Sequence, residues 1–332
     1  MVRFRGAPTA TRRGALLAAG WAAGLAAAAS PAARAQAWPT RPVRIIVPFA
    51  PGGSGDITAR LIGRHVEERT GQPVVVDNRP GANGVIGTMA VKTAPPDGHT
   101  LLLATTSTHS ANPSLVRDLP YDPVRDFVTV GFFGSNGSYL VVRPDAPWRS
   151  LAELVAEARA KPGGVFFGHF NASSRVPAEL LNAMAGTRMQ GVPYRAIGTA
   201  FSDLMAGRLQ LIFVDTTAGD AFLRQGQVRA LAITRAGRWG HFPDLPSISE
   251  TWPDFVLTGF LGVAVPAGTP PEVAGRLNAL VNEAILAEPA RSRLTEFGFN
   301  PEALDLPRIA ALVREEQEKW ARFVRMAGIE PE

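Results

Sequence analysis

The sequence predicts an α/β protein made of two lobes. From Val43 onward, short β-branched runs alternate with helical patterns, as they do where parallel strands are joined by crossover helices. A second series of the same kind begins near residue 140. The last third of the chain has long amphipathic helices but few strands, so we expect it to return to the first lobe.

The first lobe is predicted to begin with three strands and two helices. Residues 43–49 are mostly apolar and rich in β-branched side chains, which is typical of a buried strand. Apolar residues then recur at helical spacing from Ile57 to Val66, and Gly71 ends the helix. The other elements are strands at 74–76 and 101–104 and a helix marked by Ile86, Met89 and Ala90.

The second lobe is predicted to begin with a strand at 139–143. Ser150 and Glu153 then have the spacing of a capping box, in which the two side chains satisfy backbone amides at the start of a helix. The remaining elements of this lobe are strands at 165–167, 209–214 and 228–234 and helices at 177–185 and 221–224. The long helices at 272–286 and 307–326 belong to the tail that is expected to return to the first lobe.

Two crossing strands should join the lobes. The candidates are residues 139–143 and 261–265, which are extended, apolar and lead toward Pro144 and Pro266. The predicted organisation is lobe 1 at 38–138 and 263–332 and lobe 2 at 139–262.

Residues 1–37 have the composition of an export signal. Four arginines precede an alanine-rich apolar run, and small-residue cleavage patterns follow it. The pair Arg12 and Arg13 before Gly14 resembles a twin-arginine leader, and the general secretory route is the alternative. We therefore expect a periplasmic protein of a Gram-negative bacterium.

Composition excludes several classes of function. Residues 1–35 contain five arginines and no acids, so the remainder has 29 basic and 29 acidic groups and no bulk charge to attract nucleic acid. The chain has no cysteine, which rules out disulfides, thiol nucleophiles and a lipid-anchored cysteine. No histidines stand at metal-binding spacing, so we expect no metal and no cofactor.

The most informative loop runs from Phe49 to Asp56. Its three glycines and a proline stand between a strand and a helix, where the backbone can approach a ligand and helix amides can hold an anion. A phosphate-binding P-loop is disfavoured because no lysine followed by serine or threonine closes the motif. The other interpretation is a turn in which Asp56 only caps the helix.

Three further polar segments follow predicted strands, at 105–108, 171–174 and 215–217. Ligands of open α/β sheets bind beyond the carboxyl ends of strands, so we expect a shared cleft there. Asp215 either caps the next helix or accepts a hydrogen bond from a ligand amine or hydroxyl. The predicted ligand contacts are Phe49, Ala50, Pro51, Gly52, Gly53, Ser54, Gly55, Asp56, Thr106, Ser107, Asn171, Ser173, Ser174, Asp215 and Thr216.

Several ordered motifs resemble the substrate-binding proteins of tripartite tricarboxylate transporters, also called Bug receptors. The resemblance covers the chain from Trp38 to about Gly328. The motifs are WPTRPVRIIVPFAPGGSGDITARLI, GQPVVVDNRPGANGVIG, PPDGHTLLLATTSTHSANPSL, LPYDPVRDF, VPYRAIGTAFSDLMAGRLQLIF, VRALAIT and GVAVPAGTPPEVAGRLNALV.

The resemblance implies a type II periplasmic binding protein fold whose cleft closes on a small carboxylate. It implies that the loop from Phe49 to Asp56 holds the carboxyl group and that integral membrane transporter subunits accept the ligand. The chain departs from the family where Phe170 and Arg175 replace the usual asparagine and histidine. This departure favours a ligand with an apolar or aromatic portion.

We therefore expect a monomeric solute receptor without catalytic activity. One alternative is a receptor that presents its ligand to a membrane sensor kinase. The other is an exported hydrolase that uses Ser54, Ser107 or Ser173, although no Gly-x-Ser-x-Gly elbow surrounds these serines.

Overall fold

The computed structural model describes residues 1–2, 6 and 38–332. The leader predicted at 1–37 falls outside this range apart from three positions. Residues Arg41–Glu332 form one compact unit, and all the helices and strands of the described residues belong to it. No helix in the described ranges is both long enough and apolar enough to span a bilayer.

Within residues 38–332, ten strands form two separate sheets. They are β1 Val43–Val47, β2 Val74–Asn78, β3 Thr100–Thr105, β4 Phe127–Asn136, β5 Ser138–Val142, β6 Phe166–His169, β7 Gln190–Pro193, β8 Leu211–Asp215, β9 Arg229–Ile233 and β10 Gly259–Pro266. The first sheet has the order β2-β1-β3-β10-β4, and the second has the order β7-β6-β8-β5-β9. Each sheet therefore combines parallel strands with antiparallel ones, because β10 and β5 run against their neighbours.

The same stretch contains ten α-helices. They are α1 Ser54–Thr70, α2 Val85–Lys92, α3 Asn112–Leu115, α4 Leu151–Ala160, α5 Ala172–Ala185, α6 Ile197–Met205, α7 Thr216–Arg224, α8 Pro271–Leu286, α9 Ala290–Glu296 and α10 Leu306–Met326. A 3₁₀ turn precedes α2 and a π-helical turn at Ser107–Ala111 precedes α3. The alternation of strands and helices confirms the predicted α/β class with two lobes.

The chain crosses between the sheets twice. Gly137 alone separates β4 of the first sheet from β5 of the second, and residues 234–258 lead back from β9 to β10. The predicted crossing segment 139–143 thus begins the second sheet, and the segment 261–265 lies inside β10. The exact lobe boundaries stay a prediction.

The C-terminal helices pack against the first sheet, and the last of them also contacts the core of the second. Helix α8 packs on β4 so closely that a β-carbon on Gly131 would lie 2.4 Å from Val281. In α10, Ile309 and Val313 belong to the core of the first sheet, whereas Trp320 belongs to the core that contains Phe213 of the second. The tail therefore packs on the first sheet, and its last helix also reaches the core of the second. The assignment of residues 263–332 to lobe 1 stays a prediction.

Candidate ligand-binding cleft

A cleft of about 760 Å³, including its open mouth, lies between the two sheets. The carboxyl ends of six strands meet there, three from each sheet, together with the amino end of β10. Its lining residues are Phe49, Ala50, Gly53, Ser54, Gly55, Thr105, Thr106, Ser107, Asn136, Phe170, Asn171, Ser173, Arg195, Ala196, Ile197, Asp215, Gly259, Phe260 and Leu261.

The glycine-rich loop brings the start of α1 to the cleft. The side-chain amide of Asn78 donates to the carbonyl of Phe49 at 3.1 Å, which fixes the loop after β1. Gly55 then lets α1 approach the sheet, because a β-carbon at this position would lie 2.5 Å from Leu103. Gly53 precedes the helix with φ −81° and ψ 171°, an extended conformation open to any residue.

The first turn of α1 offers unpaired amides to the cleft. The first intrahelical bond runs from the Ile57 amide to the Gly53 carbonyl. Among the described residues, none accepts a hydrogen bond from the amides of Ser54 and Gly55. Free first-turn amides and the positive end of the helix dipole together favour an anion.

Asp56 supports this turn from behind. Its carboxylate accepts from the Gly52 amide at 3.1 Å and from the Arg60 guanidinium at 2.8 Å. Burial alone would raise the pKa of Asp56, but these hydrogen bonds outweigh it and hold the pKa below the usual 3.8. Asp56 is therefore an ionised structural residue beneath the loop.

Asp215 links the two sheets at the floor of the cleft. It is the N-cap of α7, where one carboxylate oxygen accepts from the Ala218 amide at 3.0 Å. The other oxygen accepts from the Ser54 hydroxyl at 3.2 Å, across the cleft. Burial raises the pKa of Asp215, and the Ala218 and Ser54 hydrogen bonds partly oppose that rise.

A second contact across the sheets joins the start of α5 to the loop before α2. The side-chain oxygen of Asn83 accepts from the Ala172 amide at 3.2 Å, while its side-chain nitrogen donates to Asn112 at 2.6 Å. Asn83 adopts a left-handed conformation with φ 50°, which asparagine tolerates better than most residues. An amide of the second lobe is thus satisfied by a side chain of the first.

Two hydroxyls in the cleft are available to a ligand. Ser107 and Ser173 both line it, and in the part of the chain that the structure describes neither side-chain oxygen makes a hydrogen bond. Thr106, by contrast, is engaged, because its hydroxyl accepts from the Phe260 amide at 2.6 Å. Gly259 lies between these residues, where a β-carbon would be 2.7 Å from Thr106.

The lining is mostly apolar and nearly balanced in charge. Phe49, Phe170, Ile197, Phe260 and Leu261 supply apolar walls. Among the described lining residues, Arg195 is the one basic side chain and Asp215 the one acidic side chain. The cleft can therefore bind an apolar body with polar groups near the helix ends.

Ten of the fifteen predicted contacts meet in this cleft. They are Phe49, Ala50, Gly53, Ser54, Gly55, Thr106, Ser107, Asn171, Ser173 and Asp215. The other five do not line it. Pro51 and Gly52 are on the exposed side of the loop, and Asp56 is buried beneath it.

Ser174 and Thr216 are occupied by hydrogen bonds within the protein. The Ser174 hydroxyl, buried in the cap of α5, accepts from the Phe170 amide, and the Thr216 hydroxyl donates to the Phe297 carbonyl. Ligand contact at each predicted position stays a prediction.

Several residues that line the cleft were not predicted from the sequence. Arg195, Ala196 and Ile197 follow the short strand β7 and begin α6, so the rule that placed the other loops applies to them as well. Asn136 ends β4, a strand that was not predicted from the hydrophobic pattern. Phe260 lies at the start of β10, which runs antiparallel and brings its amino end to the cleft.

The cleft does not have the arrangement of a serine hydrolase. Ser54, Ser107 and Ser173 all line it, but none of the histidines described in the structure does so or bonds to them. His109 is fully buried, and burial lowers its pKa to about 3. Within the described ranges, no group of acidic and histidine side chains could hold a metal ion.

Comparison with known proteins agrees with this architecture. Residues 58–329 match the family model described as the tripartite tricarboxylate transporter family receptor. Protein BugT of Bordetella pertussis is 36% identical over 310 residues, which cover 92% of this chain and 94% of that protein.

Two solved structures share the fold at similar identity. R. palustris Rpa4515 with adipate has a TM-score of 0.85 and 33% identity, and the match covers 89% of this chain and 100% of that one. MatC from Rhodopseudomonas palustris with bound malate has a TM-score of 0.81 and 32% identity, over 86% of this chain and 100% of that one. The chain belongs to the tripartite tricarboxylate transporter receptor family.

Proposed function

We propose that this protein is a periplasmic receptor that binds a small carboxylate in the cleft between its sheets. The observation that carries the proposal is the pair of amides at Ser54 and Gly55, which have no acceptor among the described residues and lie at the positive end of a 17-residue helix. The hydroxyls of Ser107 and Ser173 add further donors in the same cleft.

These donors are sufficient for a useful affinity. A hydrogen bond to a charged group contributes about 1.5–3 kcal/mol. Two or three of them, with apolar contact to Phe49 and Phe170, approach the roughly 8 kcal/mol of a micromolar complex. Relatives whose structures hold adipate and malate support a carboxylate as the ligand class.

The loaded receptor would pass its ligand to the integral membrane subunits of a tripartite transporter, as its family membership suggests. It would act as a monomer and catalyse no reaction. Pull-down from membranes with and without ligand tests the partner, and recovery of a sensor kinase in place of the transporter subunits would favour the signalling alternative.

Blocking the cleft tests the binding site. Gly53 has room for a side chain, because its β-carbon would meet only the Ala50 carbonyl, at 3.7 Å. We expect Gly53→Trp to keep the melting temperature of the parent and to abolish the heat of binding for every carboxylic acid that binds the parent. Titration calorimetry against a broad acid panel measures this.

Gly275→Trp is the matched control. Gly275 lies on the exposed face of α8, and a β-carbon there would meet nothing within 4 Å. It should bind acids as the parent does. Undiminished binding by Gly53→Trp would refute the proposed site, and a panel that gives no binding to the parent would refute the proposed function.

A further inference from the structure

Asp215 is an unexpected group to find in a cleft for anions. It is the one acidic side chain among the described lining residues, and it faces the first turn of α1 through its contact with Ser54. The amide and the hydroxyl of Ser54 belong to the same residue. A ligand carboxylate held by that amide would therefore lie beside the carboxylate of Asp215.

Two neighbouring carboxylates repel each other in a partly buried site unless a proton or a hydrogen-bond donor lies between them. Asp215 can accept from such a donor. An ionised carboxylate has about four acceptor positions. The Ala218 amide bonds one oxygen and the backbone amides of Asp215 and Thr217 also interact with the carboxylate, whereas the oxygen that faces the cleft accepts from the Ser54 hydroxyl and could be shared with a ligand donor.

The ligand itself is the natural source of that donor. A hydroxyl or an ammonium group on the carbon next to the ligand carboxylate would stand closest to Asp215. Such a group would satisfy Asp215 and would separate the two negative charges.

We propose that Asp215 selects acids that carry a hydroxyl or ammonium group on the carbon next to the carboxylate. This inference rests on the proposed carboxylate-binding function and narrows its substrate class. Asp215 thus has two roles, as the N-cap of α7 and as the acceptor that distinguishes substituted acids from plain ones.

Sets of acids that differ only at that carbon test the inference. The first set is succinate, malate and aspartate, and the second is phenylpropanoate, phenyllactate and phenylalanine. At neutral pH the parent should bind at least one substituted acid about tenfold or more tightly than its plain counterpart, as expected for a hydrogen bond to a charged acceptor. The relative gains of the hydroxyl and ammonium members identify the preferred donor.

Two variants of Asp215 separate this role from its capping role. Asp215→Asn keeps the shape of the side chain and removes the charge, and Asp215→Ser removes the charge and shortens the side chain. Asparagine and serine are both good N-cap residues, so α7 should persist in each variant. Asp145→Asn is the matched control, because Asp145 pairs with Arg143, is 73% exposed and does not line the cleft.

The expected changes have opposite signs. Plain acids should bind both Asp215 variants at least as tightly as they bind the parent, because the repulsion is gone. Substituted acids should bind less tightly, so that their advantage falls from about tenfold to within about threefold. A misfolded variant would weaken both kinds of acid and could not give this pattern.

The possible failures are distinguishable. If the parent binds plain and substituted acids equally, or if the Asp215 variants keep the full preference, the inference is wrong while the carboxylate receptor stands. If no member of a broad acid panel binds the parent, the proposed function fails and the inference fails with it.

Discussion

The hydroxyl of Ser54 donates to the carboxylate of Asp215 at 3.2 Å, which joins the first turn of α1 in one lobe to the first turn of α7 in the other. The two residues are 161 positions apart in the chain. Both helices present their positive ends to the cleft, and Asp215 lies between the two first turns.

Removing the Ser54 hydroxyl should weaken binding without unfolding the protein. Ser54→Ala leaves the helix amides in place but deprives a partly buried carboxylate of one of its donors. Without that donor the Asp215 carboxylate repels a neighbouring ligand carboxylate more strongly, so we expect the Kd for a bound acid to rise about tenfold. Titration calorimetry measures the change. Ser202→Ala, on the exposed face of α6, is the control, and equal affinities in the two variants would contradict this role for Ser54.

Two neighbouring glycines should respond differently to alanine. At Gly55 the new methyl group would lie 2.5 Å from Leu103 in the core, so we expect Gly55→Ala to destabilise by about 1–3 kcal/mol through overpacking. At Gly53 there is room, and Gly53→Ala should cost less than about 1 kcal/mol. Urea unfolding of the two variants measures the difference. The same loss of stability in both would argue against close packing of α1 on β3.

A further polar link between the lobes involves Arg175 and Glu332. The Glu332 backbone is fixed to the first lobe by hydrogen bonds with Leu115 and Arg117, and its carboxylate lies 2.5 Å from the Arg175 guanidinium on α5. The hydrogen bond from Arg175 and its positive charge lower the pKa of Glu332. Because Glu332 is 72% exposed, we expect a coupling energy of only about 0.5–1 kcal/mol.

A double-mutant cycle with Arg175→Gln and Glu332→Gln measures this coupling through the free energy of unfolding. The coupling should decrease in high salt, since the pair is largely solvent-exposed. Perfect additivity of the two substitutions at low salt would show that the contact does not join the lobes in solution.

The lowered pKa of Asp56 should make the free energy of unfolding depend on pH in the acidic range. Its folded pKa lies below 3.8 because hydrogen bonds from Arg60 and Gly52 overcome the effect of burial. A carboxyl with a lowered folded pKa contributes stability above its unfolded pKa, and this contribution is lost as the pH falls through the folded value. We therefore expect Asp56→Asn to be less stable than the parent at neutral pH and to lose less stability below pH 3.8.

Unfolding in urea between about pH 6 and pH 2 follows the Asp56 effect across the acidic range in which carboxylates titrate. Asp254→Asn, at an exposed position, is the control and should follow the parent curve. Parallel curves for the parent and Asp56→Asn would mean that Asp56 does not carry the acid-labile contribution.

The elements that the sequence predicted are those with regular hydrophobic patterns. The strands at 43–49 and 209–214 and the helix that ends at Gly71 are present because local burial determines them. Strand β4 was missed, because Gly131, Gly134 and Asn136 interrupt its β-branched pattern. Ser150 does accept from the Glu153 amide, but the Glu153 carboxylate accepts from Arg149, one residue earlier than a capping box requires.

Site residues that directly follow a predicted strand could be predicted from the sequence. Contacts between residues far apart in the chain could not. The loop around Ser54 and the cap at Asp215 could be found because polar residues follow apolar strands. Their mutual contact could not, because nothing local relates positions so far apart in the chain. Arg195 follows a four-residue strand that is mostly exposed, so its hydrophobic pattern is too weak to identify the loop.

A crystal structure of the protein with a bound carboxylic acid tests the central claim most directly. We predict that the ligand carboxylate lies between the two sheets, with an oxygen about 2.7–3.2 Å from the amide nitrogen of Ser54 or Gly55. A ligand held elsewhere on the protein, with the first turn of α1 closed off from it, would contradict the account.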